Sequence, residues 1–446
     1  MNSYYQYPLS YQLLNDGQRE AFDQLVAAYE DGTPCFVTGN AGTGKSFLAN
    51  AYDEFCRINR ISLAKCAPTG IAATAIGGAT MHRLFKLPLG VSGDELESDQ
   101  YENVRQKLAY ADAIWIDEVS MARVDHLDCV LRQIWKASEI RKRRGKRPVQ
   151  IVVCGDFGQL APVITGKDRD DYEDLVGMPI GKGYCYAGAG WKFMKFKPVV
   201  LTEPMRQADP EFCAALDLVK MGDPAGIEFM NARTARAPID DAVWVCGYNK
   251  TALDLNMKRL AALPGRLYEH EAIIQGDADI SKTNLEPSLA FKEGARIMML
   301  INDREDGRYC NGSLGRIQTA GRGYVTVRLD NGRMIYVQPM TLEFYDYQEE
   351  DGVLVKKCVG SITQYPFKLG YAVTIHKAQG QTYEAANLVP EIFAAGQLYV
   401  GLSRCRTAKT LYIQPDRNGR KLLPKHVIAD KDTIGFLDGV LSSAKS

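Results

Sequence analysis

Short apolar runs rich in β-branched residues alternate with longer amphipathic stretches over the first half of the chain. Each run ends in glycine or polar residues, as strands do where they turn toward a helix. This rhythm of strand, helix and strand predicts a mostly parallel sheet flanked by helices. The predicted strands are CFVT (35–38), SLAKCA (62–67), AIWID (113–117), QIVVCG (150–155) and VVLT (199–202).

A second set of such runs begins near residue 242 and predicts a second α/β domain. Its strands are AVWVCGYN, ARIMMLI, AANLVP and TLYIQP. Between them, residues 304–363 contain short alternating strands and turn signals. Asn311–Gly312 and the DNG at 330–332 are typical of tight hairpins. We therefore expect a small antiparallel β-barrel inserted in the second α/β domain, and a frayed tail from about residue 430.

Composition and charge indicate the cellular compartment and the kinds of partner to expect. Of the 446 residues, 46% are hydrophobic, and no run of about 18 or more apolar residues predicts a membrane helix. The N-terminus lacks the pattern of a secretory signal, and the eleven cysteines are scattered singly, as reduced thiols are. We expect a cytoplasmic protein, with a bacterial or viral setting favoured. Lys+Arg and Asp+Glu each total 54, a balance that still allows a local basic groove.

The stretch GNAGTGKS matches the pattern GxxxxGK[ST] between a predicted strand and a predicted helix. Its glycines let the loop turn N–H groups toward phosphate oxygens, and the following helix adds its positive end. Lys45 would bridge the β- and γ-phosphates and Ser46 would ligate Mg²⁺. The expected ligand is therefore a nucleoside triphosphate, bound by Gly39, Asn40, Ala41, Gly42, Thr43, Gly44, Lys45 and Ser46.

Two acids follow another predicted strand in AIWIDEVSM. Asp117 ends the strand, where it would hold Mg²⁺ through water. Glu118 is placed to polarise the attacking water. A metal ligand beside a base predicts hydrolysis of the triphosphate rather than binding alone.

No guanine-reading NKxD element occupies the position expected in a GTPase. Four further motifs indicate another class of enzyme. They are VVCGDFGQLAPV (152–163), LTEPMRQADPEF (201–212), AVTIHKAQGQTYEAANLV (372–389) and LYVGLSRCRTAKTLYI (398–413). With these motifs in this order, the chain resembles superfamily 1 DNA helicases of the Pif type (petite integration frequency). The resemblance runs from about residue 12 to 415.

This resemblance implies ATP and Mg²⁺ as cofactors and assigns roles to individual residues. Gln18 matches the residue that reads the adenine edge, and Gln159 the residue that senses the γ-phosphate. Arg206 and Arg404 match two arginines that reach the γ-phosphate from the second domain, and Gly380 with Gln381 matches the lining of the ATP cleft. A guanidinium of this kind accelerates phosphoryl transfer by ~10³–10⁵. Because both arginines would come from the second domain, catalysis would require closure of the two domains.

The same resemblance predicts the DNA track. The stretch CAPTGIAATAIGGATMHRLF (66–85) matches the segment that binds the DNA strand in the first domain. Hydroxyls and amides contact the nucleic-acid backbone without reading bases, which suits a motor that passes any sequence. Phe85 has two interpretations, a ring stacked on a base or a core residue. The predicted contacts are Pro68, Thr69, Gly70, Thr80, His82 and Phe85, with Thr374, His376 and Lys377 on the second domain.

The predicted organisation is a first RecA-like domain at 1–203, with a wedge insertion at about 86–104. A second RecA-like domain follows at 204–303 and 364–430, interrupted by the β-barrel at 304–363 and followed by a tail at 431–446. The basic run RKRRGKR (141–147) is either a solvated loop or a patch that contacts DNA.

The resulting hypothesis is an ATP-dependent DNA helicase that moves 5′ to 3′ on single-stranded DNA. We expect a monomer that acts on single-stranded and forked duplex DNA, with no membrane partner. One alternative is a RecD-like recombination motor inside a nuclease complex. Another is an ATP-switched clamp that binds single strands without unwinding.

Overall fold

The computed structural model describes residues 5–88, 90–92, 99–207, 209–283, 285–301, 303, 308–309, 311–321, 323–350 and 353–444. The other residues, including 93–98 of the predicted wedge and 304–307 of the predicted barrel, lie outside the described part of the chain.

The first lobe contains a six-stranded sheet. Its strands are β1 Cys35–Gly39, β2 Leu63–Ala67, β3 Ala79–Thr80, β4 Ala113–Ile116, β5 Gln150–Cys154 and β6 Lys197–Leu201. The order β3-β2-β4-β5-β1-β6 is parallel throughout. All five predicted strands are confirmed. The two-residue strand β3 was not predicted, because it is too short to show a period.

Helices cover both faces of this sheet. Successive strand residues point to opposite faces, so Phe36 and Val153 join one buried cluster while Val37 and Val152 join another. Strands buried on both faces are apolar throughout, which explains why they appeared as runs rather than as alternations. The helices are α1 Asp16–Asp31, α2 Lys45–Ile58, α3 Gly70–Ala75, α4 Met81–Phe85, α5 Asp99–Leu108, α6 Val124–Arg143, α7 Gly166–Val176 and α8 Ala189–Met194.

The second lobe begins with two helices and one strand before the chain leaves it. These elements are α9 Pro210–Lys220, α10 Ala225–Arg233, β7 Val243–Cys246 and α11 Asn249–Ala262. Helix α9 begins with Asp209 as its N-cap and places Phe212, Leu216 and Val219 on one buried face.

A long antiparallel region then follows. Its strands are β8 Tyr268–Glu271, β9 Ile273–Gly276, β10 Ser288–Phe291, β11 Arg296–Met299, β12 Leu314–Gly321, β13 Tyr324–Leu329, β14 Met334–Val337, β15 Met340–Glu350, β16 Val353–Gln364 and β17 Phe367–Leu369. They form sheets in the orders β14-β13-β12-β11-β17, β15-β16-β9 and β10-β8. The turn predicted at 330–332 joins β13 to β14, with Gly332 at φ +82°.

One strand prediction was wrong in this region. The run ARIMMLI, predicted for the parallel sheet of the second domain, forms β11. It pairs antiparallel with β12 and β17. The sequence of a fully buried strand has no periodicity that distinguishes a parallel from an antiparallel sheet. Only the strands that it pairs with decide which sheet it joins. Antiparallel strands therefore extend from Tyr268 to Leu369, beyond the predicted 304–363.

The chain then returns to complete the sheet of the second lobe. The remaining elements are β18 Ala372–Thr374, α12 Ile375–Ala378, β19 Ala386–Leu388, α13 Gln397–Leu402, β20 Leu411–Ile413 and α14 Lys431–Ser443. The order β18-β7-β19-β20 is parallel throughout. The predicted α/β class, with two parallel sheets and an antiparallel region, is confirmed.

The expectation of a frayed tail was wrong for residues 431–443. They form helix α14, which packs back on the first lobe through Phe436 and Leu437. The Phe436 ring stacks on Tyr186, with centroids 4.2 Å apart and planes 10° apart, and meets Phe157 edge-on at 5.3 Å.

Two other predicted segments have partly structural roles. The end of the predicted wedge lies in α5, where Tyr101 and Val104 are buried in the core of the first lobe. In the basic run, Arg141 is buried, and its guanidinium donates to Ala109 O at 3.1 Å and to Asp112 Oδ1 at 2.8 Å. The residues 142–147 are exposed.

Within the described residues, every helix is too short or too polar to cross a membrane. The ten cysteines of that part of the chain are all free thiols.

Candidate functional site

The predicted phosphate loop joins β1 to α2 at the carboxyl edge of the first sheet. Gly42 and Gly44 have φ of +86° and +84°, which only glycine adopts without strain. The Lys45 ammonium donates to the carbonyls of Gly39 at 2.7 Å and Asn40 at 3.0 Å. Its charge therefore lies inside the loop, where a phosphate would be received.

Gln18 lies directly beside this loop and is buried. Its Nε2 donates to the carbonyl of Thr43 at 3.3 Å, while its Oε1 accepts from Asn15 N at 3.2 Å in the capping box of α1. A Cβ added at Gly44 would lie 2.1 Å from Gln18 Nε2, so another residue would displace the Gln18 amide as well as strain the backbone at φ +84°. The predicted adenine reader thus also supports the loop.

The two predicted acids follow β4 at the same edge of the sheet. Burial, together with the neighbouring charge of Asp117, raises the pKa of Glu118 to about 7, and burial also raises the pKa of Asp117. Glu118 has φ +49°, in the left-handed region that residues other than glycine seldom occupy. Such strained residues concentrate at functional sites. Ser46, the third oxygen ligand predicted for Mg²⁺ or its surroundings, lies in the first turn of α2 and is exposed.

These residues fit a bound Mg²⁺ ion. Mg²⁺ prefers oxygen ligands and usually takes one or two carboxylates with phosphate oxygens. Asp117 and Glu118 are adjacent carboxyl groups whose ionised forms are disfavoured by burial. A cation between them and the phosphates would offset that cost.

The two predicted arginines lie near each other, and Arg206 lies against Gly42 of the phosphate loop. Arg404 is buried and donates to the carbonyls of Val400 at 2.6 Å and of Ala378 at 3.0 Å. Arg206 donates to the carbonyl of Ser403 at 3.2 Å. Burial and the charge of Arg404 lower the pKa of Arg206 to about 9. The two guanidinium groups repel each other, and an anion bound between them would offset that repulsion.

Gly380 and Gln381 lie in the turn after α12. Gly380 has φ +76° and is exposed, while the Gln381 carbonyl accepts a hydrogen bond from Arg404 at 3.0 Å. The Gln381 Nε2 donates to Asn311 at 3.2 Å. The turn therefore holds Arg404 in place, in addition to its predicted position in the cleft.

Gln159 follows β5 and is buried near the same cleft. Its Nε2 donates to Asp156 Oδ2 at 3.2 Å. A Cβ added at Gly396 of the second lobe would lie 2.2 Å from the Gln159 carbonyl oxygen, so the two lobes meet at this point.

Sequence reasoning missed three residues of the second lobe that reach the first lobe. Gln379 Nε2 donates to Glu118 Oε2 at 3.2 Å. The Tyr399 hydroxyl accepts from Ala41 N at 2.8 Å, and Lys220 Nζ lies 2.8 Å from Asp156 Oδ1. Gln379 and Tyr399 lie inside recognised motifs, which was an available signal. Lys220 ends an ordinary amphipathic helix, and nothing in its sequence context distinguishes it.

The predicted DNA contacts share a local geometry. Thr69 follows β2, whereas Thr80 and Thr374 are the last residues of β3 and β18. The three threonines cap the short helices α3, α4 and α12. Each threonine hydroxyl accepts a backbone N–H at 3.2–3.3 Å, so its own proton can still be donated to a phosphate. Pro68 and Gly70 flank the first cap, His82 and His376 are half-buried, and Lys377 is exposed.

Phe85 is the exception among these predicted contacts. Its side chain has no exposed area and belongs to the core cluster of the first lobe with Met81 and Leu84. The core interpretation is therefore correct, and the prediction of base stacking was wrong.

The hairpin formed by β15 and β16 packs over the first group of predicted DNA contacts. Asp346 accepts from Lys107 at 3.2 Å and from Lys86 at 3.3 Å, and the Tyr347 hydroxyl accepts from Lys65 N at 3.1 Å. Arg83 of α4 pairs with Asp277 at 3.1 Å. The antiparallel region thus covers one side of the predicted DNA track.

Two parallel-sheet lobes with a phosphate loop at their seam define the class of two-lobed P-loop motor proteins that includes helicases. The model of the PIF1-like helicase family matches residues 13–213. The chain is 28% identical over 419 residues to the ATP-dependent DNA helicase Pif1 of Campylobacter jejuni, covering 88% of this chain and 91% of that protein.

Solved structures agree over nearly the whole length. The crystal structure of Pif1 from Bacteroides sp with ADP-AlF4 has a TM-score of 0.82 at 28% identity, covering 96% of this chain and 97% of that one. The same coverage and identity hold for Bacteroides Pif1 bound to ssDNA, with a TM-score of 0.65. The chain is therefore similar to PIF1-like helicases over most of its length.

Proposed function

We propose that this chain is an ATP-dependent DNA helicase that moves 5′ to 3′ on single-stranded DNA and separates duplex ahead of it. The observation that carries the proposal is the seam between the lobes. Glu118 of the first lobe accepts from Gln379 of the second, and Ala41 N of the phosphate loop donates to Tyr399. Because groups of both lobes meet beside the phosphate loop, cleavage and release of a triphosphate bound there would change how the lobes fit together.

The hydrolytic chemistry follows from the residues at this seam. Lys45 and the loop N–H groups would hold the phosphates, and Glu118 would accept a proton from the attacking water. Arg206 and Arg404 would neutralise charge on the phosphoryl oxygens. Ser46 and Asp117 would hold Mg²⁺, which supplies further charge neutralisation when bound. Gln18 would read adenine, Gln159 would sense the γ-phosphate, and Gly380 with Gln381 would line the cleft.

Movement along DNA requires that each lobe hold the strand separately. The threonine caps of the first lobe, Thr69 and Thr80, and Thr374 of the second lie at the carboxyl ends of their strands. Closure and opening would alternate the two holds and advance the protein by about one nucleotide, while each base pair separated costs ~1.4 kcal/mol of stacking. The wedge at about 86–104 and the domain boundaries are part of this proposal.

The substrates are single-stranded and forked duplex DNA, in replication, recombination or repair, and the protein acts as a monomer. Free thiols at all ten described cysteines are consistent with a reducing, cytoplasmic setting.

Strand displacement with purified protein, ATP and Mg²⁺ tests the proposal. Forked DNA with a 5′ single-stranded tail is expected to be unwound, and the same fork with a 3′ tail is not. Lys45→Ala is expected to reduce ATP turnover by at least about 100-fold, because the phosphates lose their principal cationic contact.

Other outcomes select an alternative. Release from only the 3′-tailed fork overturns the polarity. ATP turnover stimulated by single-stranded DNA, without displacement of a paired strand, favours the clamp. Stable recovery of a nuclease partner favours a RecD-like motor subunit.

A further inference from the structure

Asp156, in the loop after β5, is the centre of a buried polar network. Its Oδ1 accepts from Gly158 N at 3.0 Å, and its Oδ2 accepts from Gln159 Nε2 at 3.2 Å. Because the amide nitrogen of Gln159 is held in this way, its Oε1 is the atom left to accept a hydrogen bond from a water or ligand in the cleft. The carboxylate therefore sets the orientation of Gln159.

Two groups of the second lobe reach the same carboxylate. Lys220 Nζ, at the end of α9, lies 2.8 Å from Asp156 Oδ1, and the Tyr399 hydroxyl of α13 lies 3.4 Å from Oδ2. Burial alone would raise the pKa of Asp156, but the charges of Lys220 and Lys45 outweigh it and hold that pKa below its ordinary value. Asp156 is thus a buried, ionised carboxylate whose counter-charge comes partly from the other lobe.

The same two groups also contact the phosphate loop. Lys220 Nζ donates to Asn40 Oδ1 at 2.7 Å, and the Tyr399 hydroxyl accepts from Ala41 N at 2.8 Å. Asn40 in turn donates to Asp217 of α9 at 2.7 Å. The second lobe therefore contacts both the loop that carries Gln159 and the loop that would hold the phosphates.

We propose that Lys220 and Tyr399 are positioning residues that make ATP hydrolysis depend on closure of the lobes. They act through Asp156 on Gln159, and through Asn40 and Ala41 on the phosphate loop. In the closed arrangement both loops are fixed, and opening removes the two partners that the second lobe supplies to the Asp156 carboxylate. This inference rests on the proposed ATP hydrolysis and adds residues that the resemblance did not assign.

A purely structural ion pair is the alternative explanation. It predicts that loss of Lys220 lowers thermal stability while the folded enzyme turns over ATP at the ordinary rate. A positioning role predicts a lower kcat in the folded enzyme, because a small displacement of catalytic groups can cost on the order of 100-fold in rate. The two explanations therefore differ in kcat rather than in stability.

The test uses the full chain with saturating single-stranded DNA, and measures kcat and KM for ATP beside thermal unfolding. Lys220→Met is expected to lower kcat by roughly 10- to 100-fold with a smaller change in KM. Lys220→Arg, which keeps the charge, is expected to restore most of the lost kcat. Tyr399→Phe removes one oxygen only, so it gives a second measurement if Lys220→Met does not fold, and it is expected to lower kcat in the same way.

Lys182→Met is the matched control. Like Lys220, Lys182 forms ion pairs with carboxylates. Its partners are Asp430 at 2.7 Å and Asp432 at 2.8 Å, at the start of α14, but its side chain is 55% exposed. Exposed pairs of this kind contribute little, so an unchanged kcat is expected.

An ordinary kcat in folded Lys220→Met or in Tyr399→Phe would overturn the proposal, as would equal losses in Lys220→Met and Lys220→Arg. If the unsubstituted chain does not hydrolyse ATP, the proposed function itself has failed.

Discussion

At the scale of single residues, Glu118 combines several signs of a working carboxylate. Its backbone is in the left-handed region, its side chain is half-buried, and Gln379 of the other lobe donates to it. A base is useful near neutral pH only when its pKa lies close to that pH. The raised pKa of about 7 places Glu118 in that range.

This pKa predicts the pH dependence of ATP hydrolysis. Glu118 acts as a base only when ionised, and its raised pKa means that the ionised form accumulates above about pH 7. We expect kcat/KM for ATP to rise with pH, with its midpoint near 7 and a fall of about tenfold per unit below pH 6. A profile that is flat between pH 5.5 and 8, measured at constant ionic strength, contradicts the assignment.

Phe85 yields a second prediction at this scale. Because its ring is wholly buried, Phe85→Ala is expected to cost about 3–5 kcal/mol of unfolding free energy. Phe85→Leu, which preserves most of the volume, is expected to leave the affinity for single-stranded DNA unchanged. A stacked ring would instead cost ~1–3 kcal/mol of binding free energy in that variant, which a fluorescence titration with oligonucleotides detects.

At the scale of elements, helix α14 connects the end of the second lobe to the first. Its Phe436 packs on Phe157, which lies between Asp156 and Gln159. The helix therefore contacts the loop that carries the predicted γ-phosphate sensor. A terminal segment usually frays unless apolar contacts hold it, and here the aromatic cluster supplies them.

Removal of that ring should undock the helix. Phe436→Ala is expected to cost about 2 kcal/mol, below the 3–5 typical of a wholly buried ring, because Phe436 is only partly buried. Hydrogen exchange of the amides in 431–443 should become faster. Leu441→Ala is the control, since Leu441 lies on the same helix and is 42% exposed. Equal exchange in the two variants would show that Phe436 does not hold the helix.

At the scale of the whole molecule, the two lobes approach so closely that a glycine is required between them. Gly396, before α13, has φ +79°, and any Cβ there would lie 2.2 Å from the backbone oxygen of Gln159. The buried cluster of the second lobe also includes Ala41 and Leu160 of the first. The seam is therefore a packed interface as well as a nucleotide cleft.

Widening of this seam should slow ATP turnover. Gly396→Ala is expected to lower kcat by on the order of tenfold or more, since the lobes cannot then close fully on the reacting groups. Gly419→Ala serves as the control. Gly419 has a similar φ of +75° but no atom within 4 Å of the added Cβ. Equal kcat values for the two variants would show that backbone strain alone, not the contact with Gln159, explains any change.

Local sequence predicted the parts of the fold that local physics dictates. The buried runs around Phe36, Ile114 and Val152 were recognisable as parallel strands, because strands covered on both faces are apolar throughout. The turn at 330–332 was recognisable because the DNG sequence is typical of tight hairpins, and Gly332 adopts the positive φ that favours glycine. The run at Arg296–Met299 was assigned to the wrong sheet, because a short buried strand does not specify its partners.

The sequence by itself determined the two α/β units, the antiparallel region and the resemblance to Pif-type helicases, since glycine loops, paired acids and their order appear directly in the residues. Only the tertiary structure decided that Phe85 is core, that α14 returns to the first lobe, and that Lys220 and Tyr399 reach Asp156. Those facts depend on contacts between residues far apart in the chain. Neither the period of a helix nor the chemistry of one side chain specifies which distant surface it will meet.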